Sequence, residues 1–319
     1  MSISSHGPPE AGEVPRYRDP VRIVSLLPSA TEILFAIGAG DDVRGVTFEC
    51  DYPVEARLRT IVSSTELPRG LTPSEIDVEV RTRLAAGDDL YTLDKGALGD
   101  LDPDLVVTQD LCAVCAVAST EVDAALDHLG CHAEVLTLDP MTLAEVMDSI
   151  GAVGRATGCH EAADELVAGL MRRLDGVATA VAGRGRPGVA VLEWTDPPFS
   201  SGHWVPDMVE AAGGRSLLGR SGVRSSRVDW DDVTAVDPDL VVVAPCGFRL
   251  DGAVALAEEL VARGRIRGDV PLWAVDADAA FVRPGPRLMD GIEALAALIH
   301  PGALPRRDDL AARVGPGSG

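Results

Sequence analysis

Cys112-Ala113-Val114-Cys115 is the tightest grouping of chemically able side chains in this chain. Its C-x-x-C spacing suits half of a zinc or iron–sulfur site, or a redox pair. No second C-x-x-C exists, so further ligands would have to come from distant loops. Cys50 and Cys246 are the candidates, with Glu49 or His203 as a supplementary donor. Soft thiolates at such positions would select a metal ion, an iron–sulfur cluster or a haem-like metal cofactor. The same thiols could serve a Cys-dependent enzyme, although no base stands at a telling spacing. Cys131 and Cys159 read as small buried apolar residues.

A second set could hold a small organic ligand. Tyr52, Trp194, Trp204 and Phe248 could form an aromatic floor under a flat molecule. Arg283, ahead of Pro-Gly-Pro, could anchor an anionic group. Pro28, Ser29, Gln109, Asp110, Glu193 and His203 complete the expected lining. His128, His132, His160 and His300 lack a partner at ligand spacing, and no P-loop, G-x-S-x-G or H-E-x-x-H is present.

The elements that carry these residues explain their grouping. Short β-branched runs at 21–27, 43–48, 105–108, 133–138, 189–192, 240–243 and 272–275 read as buried strands. Each expected site residue lies at or just past the C-terminal end of such a run, and open α/β sheets bind ligands at that edge. Helices are expected near 29–37, 74–86, 120–129, 206–212, 253–263 and 288–299, and residues 54–75 read mostly as loop.

Midway, Thr142 and Glu145 form a capping-box pattern ahead of Leu143, Val146, Met147, Ile150 and Val153. A second helix follows, with Leu166, Leu170, Leu174, Val177 and Val181 on one face and Gly169 beside that seam. The runs Asp102-Pro103-Asp104-Leu105-Val106-Val107 and Asp237-Pro238-Asp239-Leu240-Val241-Val242 flank this pair and suggest a duplicated unit. The expected fold is α/β: two Rossmann-like lobes joined by a long rigid backbone helix, with the ligand cleft between the lobes. The divisions are a disordered tail at 1–20, an N-terminal lobe at 21–139, a helical linker at 140–182, a C-terminal lobe at 183–302 and a flexible tail at 303–319. Gly183-Arg184-Gly185-Arg186-Pro187-Gly188 precedes a strand, so it is a linker and not a dinucleotide fingerprint.

Lys and Arg total 28 against 50 Asp and Glu, a net charge of -22, which opposes nucleic acids and anionic membrane surfaces as partners. No apolar run approaches the ~18 residues of a membrane span, so no membrane insertion is expected. Residues 1–20 lack a charged-then-apolar leader pattern, so the expected address is cytoplasmic, with reduced cysteines.

The segment Arg22-Ile23-Val24-Ser25-Leu26-Leu27-Pro28-Ser29-Ala30-Thr31-Glu32, the two Asp-Pro-Asp-Leu-Val-Val strands, the backbone helix and the Glu210-Ala-Ala-Gly-Gly ending resemble the helical-backbone (class III) substrate-binding proteins. The cobalamin-binding branch is nearest, related to siderophore and haem binders, and the resemblance spans about 21–300. Glu-Cys-Asp-Tyr-Pro, Cys-x-x-Cys and Pro-Cys-Gly-Phe are similar to loops of a cytoplasmic, Cys-containing subgroup labelled cobalamin-binding. The resemblance implies a corrinoid (cobalamin-like) ligand held between the lobes with little hinge motion, in a non-catalytic cytoplasmic carrier or sensor rather than an exported transporter subunit. It also implies docking to a permease-type or cofactor-delivery partner through one Glu per lobe, which falls on Glu32 and Glu210.

Overall fold

The computed structural model describes residues 21–315 apart from 69, 87–89, 110–121, 123–124 and 127–131. Asp110, Cys112, Cys115, Cys131, the tail 1–20 and most of the helix expected at 120–129 therefore lie outside the described residues.

The N-terminal lobe runs β1 (Ile23–Ser25), α1 (Pro28–Ala36), β2 (Val43–Val46), β3 (Thr60–Ile61), β4 (Ser63–Thr65), α2 (Pro73–Ala86), β5 (Tyr91–Leu93), α3 (Lys95–Leu101), β6 (Leu105–Thr108) and β7 (Glu134–Thr137). Five of these strands form a parallel sheet in the order β3-β2-β1-β6-β7, while β4 and β5 pair as a small antiparallel ribbon. Two linker helices follow, α4 (Leu143–Ala156) and α5 (His160–Val181). The C-terminal lobe runs β8 (Gly188–Thr195), β9 (Pro198–Ser200), α6 (Val205–Ala211), β10 (Arg215–Ser216), α7 (Trp230–Ala235), β11 (Leu240–Val243), α8 (Leu250–Ala262), β12 (Leu272–Val275), α9 (Ala277–Ala280), α10 (Leu288–Ile299) and β13 (Ala311–Val314). Its sheet is ordered β10-β8-β11-β12-β13, with β13 antiparallel and β9 hairpinned onto β8.

The duplicated run does the same work in both lobes. Asp104 accepts a hydrogen bond from the Arg22 amide (2.8 Å) at the start of β1, and Asp239 accepts one from the Gly188 amide (2.7 Å) at the start of β8. Asp102 and Asp237 both take left-handed backbone conformations, φ 42° and 45°. Each Asp-Pro-Asp thus ends a helix and clasps the chain where the neighbouring parallel strand begins.

The spine forms as the capping pattern dictates. The Glu145 amide donates to Thr142 Oγ1 (3.2 Å) and the Thr142 amide to Glu145 Oε2 (3.1 Å). Gly158, at φ 66°, turns the chain from α4 into α5. The 22 residues of α5 rise ~33 Å. One apolar core runs from Ile23, Ile33 and Val107 through Ile150 and Leu170 to Val191, Met208 and Ile292, so the spine and both lobes share it. Val24 and Val106 face a separate outer core in the first lobe, and Val241 and Val243 face another in the second. Strands buried on both faces explain their unbroken β-branched runs. Leu170 is buried, and Leu166 and Leu174 pack beside it. Arg173 ties α5 to α10 through Asp290 (2.6 Å) and Glu293 (2.8 Å).

Several expectations are corrected. The tail from 303 is not frayed throughout, because Ala311–Val314 pairs with β12 and buries Ala311 and Val314. Residues 54–75 hold β3 and β4, strands too short and polar to stand out, made by pairing with β2 and β5. The elements β5, α3, β9, β10 and α7 carry no strong periodicity of their own. The first helix starts at Pro28, which suits the first helical position because its missing N–H is not needed there. Gly169 does not mediate close helix approach; the nearest atom to a Cβ there is Arg172 Nη2 at 3.7 Å. That role belongs to Gly154, where a Cβ would stand 2.4 Å from the Ala163 Cβ.

Candidate functional site

Beyond the C-terminal ends of both sheets, the two lobes meet through charge. From the first lobe come Glu32 on α1 and the loop Glu49-Cys50-Asp51-Tyr52 after β2. From the second come Arg249 at the start of α8, Asp278 on α9, and the turn Arg283-Pro284-Gly285-Pro286-Arg287 leading into α10. Arg287 grips Glu32 with two hydrogen bonds, Nε to Oε2 (3.0 Å) and Nη2 to Oε1 (2.9 Å). Arg283 donates through Nη1 to Asp51 Oδ1 (2.6 Å) and through Nη2 to the Glu49 carbonyl (3.4 Å). Arg249 also pairs with Asp51, and Arg57 lies 3.7 Å from it. Gly285, within this turn, packs beside Glu32 and the Ser29 carbonyl.

Burial and pairing set the charge states here. Desolvation pushes Glu32 above the ordinary carboxylate range, against the pull of Arg287 and Arg283. Glu49 is pushed up to about 7 by burial, with Asp278 and Asp51 adding to the shift and Arg283 opposing it. Burial likewise raises Asp278. For Asp51 burial acts upward, yet the bonds from Arg283 and Arg249 outweigh it and hold the carboxyl below its usual value. Arg283 stays charged: burial works against its charge, but Asp51, Asp278 and Glu32 more than compensate.

The aromatic residues divide. Tyr52 is half exposed, with the Arg287 guanidinium 4.1 Å above its ring. Trp194 and Phe248 meet edge to face at 5.7 Å, and Trp194 Nε1 reaches the first lobe's Pro73 carbonyl (3.3 Å). Phe48, unassigned by sequence, is exposed and stacks at 5.8 Å on Tyr91, whose hydroxyl donates to Glu49 (3.3 Å). Trp204 is corrected: it is buried in the shared core with its Nε1 donating to the Phe281 carbonyl (2.8 Å), so it packs and does not face a ligand. Pro28, Ser29 and Gln109 are buried at the strand ends. Glu193 accepts from the Gly202 amide (2.9 Å) and so braces the loop that carries His203. His203 holds a left-handed backbone, φ 52°; its Nε2 is buried without a hydrogen-bond partner, and burial lowers its basicity.

The thiolate reading loses a member. Cys50 is buried and hydrogen-bonded to Thr31 Oγ1 (3.0 Å), and desolvation pushes its thiol up to about 12. At neutral pH in the metal-free protein it is a protonated group packed in the core, without nucleophilic character. Among the described residues no three His, Cys, Asp or Glu side chains gather as a metal set. The docking reading loses Glu32 as well: with its side chain 2 % exposed and bound by Arg287, it is not available to an outside partner. Glu210 is exposed, pairs with Arg186 and accepts from the Ser216 amide (3.0 Å).

Sequence reasoning did not assign Asp51, Arg249, Asp278 or Arg287. The spacing of Arg283 and Arg287 around Pro-Gly-Pro was a usable signal, since a tight turn aims both arginines the same way. Their partners in the first lobe, Asp51 and Glu32, lie more than 200 positions away and left none.

Two α/β lobes on a shared helical spine, facing each other at the carboxyl ends of both sheets, define the two-lobe fold of the class III periplasmic binding proteins. The chain belongs to the periplasmic binding protein family, whose model matches residues 23–263. It is 27% identical over 295 residues to the ABC transporter substrate-binding lipoprotein YvrC of Bacillus subtilis, covering 89% of this chain and 81% of that one. The vitamin B12-binding protein of Vibrio cholerae is 26% identical over 282 residues, 85% of this chain and 86% of its own. Among solved structures, the periplasmic vitamin B12 binding protein BtuF of Vibrio cholerae superposes with a TM-score of 0.64 at 22% identity (88% and 97% covered). A periplasmic heme binding protein of Pseudomonas aeruginosa gives 0.67 at 21% (94% and 100% covered). These relatives work outside the cytoplasm, which overturns the cytoplasmic address expected from residues 1–20. Export leaders in general are segments apart from the fold they direct, so the elements of a fold carry no trace of the address. Among the described residues no helix is long and apolar enough to cross a membrane.

Proposed function

We propose that this protein is a substrate-binding protein that holds a corrinoid between its lobes and presents it to the permease of an ABC transporter. The observation that carries the reading is the similarity, in sequence and in fold, to proteins named for vitamin B12. The exposed Tyr52 and Phe48 of one lobe and the Trp194–Phe248 pair of the other offer flat apolar faces on the two sides of the cleft. Flat faces suit a macrocycle. Arg283 supplies a polar contact at its floor, with the buried Ser29 and Gln109 behind it. Residues 21–139 and 183–315 act as the two lobes, with 140–182 as the spine. Glu210 is the docking carboxylate of the second lobe.

Titration of the purified protein with hydroxocobalamin, followed by calorimetry and absorbance, tests this. We expect saturable binding at one site, with a dissociation constant in the micromolar range or tighter. No heat and no spectral change at high micromolar ligand overturns the reading.

A further inference from the structure

We infer that the cleft selects its ring by the charge of the ring's rim, accepting one fringed with neutral amides and turning away one fringed with carboxylates, with Asp51 as the residue that sets the preference. This rests on the corrinoid reading above and names the ligand chemistry of the same site.

The charges that meet at the cleft are already matched. Glu32, Glu49, Asp51 and Asp278 face Arg57, Arg249, Arg283 and Arg287. Arg287 spends two donors on Glu32. Arg249 and Arg283 converge from the second lobe on Asp51 of the first, which is only 18 % exposed in its side chain. In effect a carboxylate of the protein occupies the arginine fork that an anionic ligand would need.

A ligand carboxylate must therefore evict Asp51 or enter unpaired. Eviction leaves Asp51 without its two arginine partners in a half-dry cleft. Entry unpaired brings a charge beside Asp278 and Glu49, both already pushed towards protonation by burial. Either route costs what removing a partner from a buried ion pair costs. An amide meets neither obstacle: its N–H can donate to Glu49 or Asp278, and its carbonyl can accept from the edge of an arginine without displacing anything. The net charge of -22 adds a long-range bias in the same direction. Discrimination thus arises by building repulsion against the wrong ligand as well as contacts to the right one.

A matched pair of corrinoids isolates the rim. Dicyanocobinamide carries amides where dicyanocobyrinic acid carries carboxylates, on the same ring and metal. In the unmodified protein we expect the amide form to bind at least about tenfold tighter. Asp51→Asn vacates the fork and should narrow that ratio by about tenfold, mostly by improving the acid. Arg249→Ala, at a largely exposed side chain that no core depends on, should widen it, and serves if Asp51→Asn does not fold. Equal binding of the two corrinoids, or tighter binding of the acid, overturns the inference while leaving the corrinoid reading intact. An unchanged ratio in a folded Asp51→Asn also overturns it. Binding of neither corrinoid overturns the reading and the inference together, and so does binding of haemin, which carries two carboxylates, in their place.

Discussion

Glu49 shows how one side chain in this cleft reports its surroundings. Its carboxyl, ordinarily near 4.5, is pushed up to about 7 by burial beside Asp278 and Asp51. The folded chain therefore holds a proton there that the unfolded chain releases at lower pH. Stability from this group is greatest below about 4.5 and falls as pH rises to about 7, a loss of about 3 kcal/mol. Glu49→Gln removes the titration, so urea unfolding at pH 5 and pH 8 should show a shallower decline in the variant than in the parent. Identical slopes would show that Glu49 titrates normally. Asp51 runs the other way: its depressed carboxyl stabilises the fold at neutral pH, and that contribution is lost only below its usual 3.8.

At the scale of elements, the seam between α4 and α5 sets how far the lobes can move. Gly154 and Ala163 touch so closely that Gly154→Ala places two carbons 2.4 Å apart. Separating the helices should cost about 2 kcal/mol. Gly169→Ala is the contrasting change: a Cβ meets nothing closer than 3.7 Å, so the gain in helix propensity should stabilise by about 0.5–1 kcal/mol. Calorimetric melting of the two variants should move in opposite directions, and a common direction would refute the packing described for this seam. Leu170→Asp puts a charge into the core shared by the spine and both lobes, at a site 4 % exposed. A cost of about 4 kcal/mol is expected, with both lobes unfolding in a single transition. Separate transitions for the two lobes would mean that the shared core does not couple them.

For the whole molecule, a continuous core and a helical spine predict small motion on binding. Bending α5 in mid-span breaks backbone hydrogen bonds, whereas an extended linker rotates about a few dihedrals. The cross-cleft pairs Arg287–Glu32 and Arg283–Asp51 add a second tie between the lobes. Small-angle scattering should give a radius of gyration of ~20 Å for a compact chain of this length, nearly unchanged by saturating ligand. A large decrease on binding would show that the ligand-free lobes stand open in solution and that the spine is not rigid.

The backbone helices, the β-branched strands and the Asp-Pro-Asp repeat were legible in the amino-acid order because they are local. A capping box at Thr142 and Glu145, a stop at Gly158 and a heptad-like run of Leu and Val act within one or two turns, so spacing alone reveals them. The placement of the Glu49–Tyr52 and Phe248 loops past strand ends was legible for the same reason. What only the tertiary structure decided is which of those loop residues are available. Trp204 and Cys50 turned inward because the shared core and the Thr31 hydroxyl had room for them. Glu32 was claimed by an arginine 255 positions away, and Asp51 by arginines 198 and 232 positions away. Ion pairs between lobes depend on how two separately legible sheets face each other across a helix, and no spacing along the chain encodes that approach.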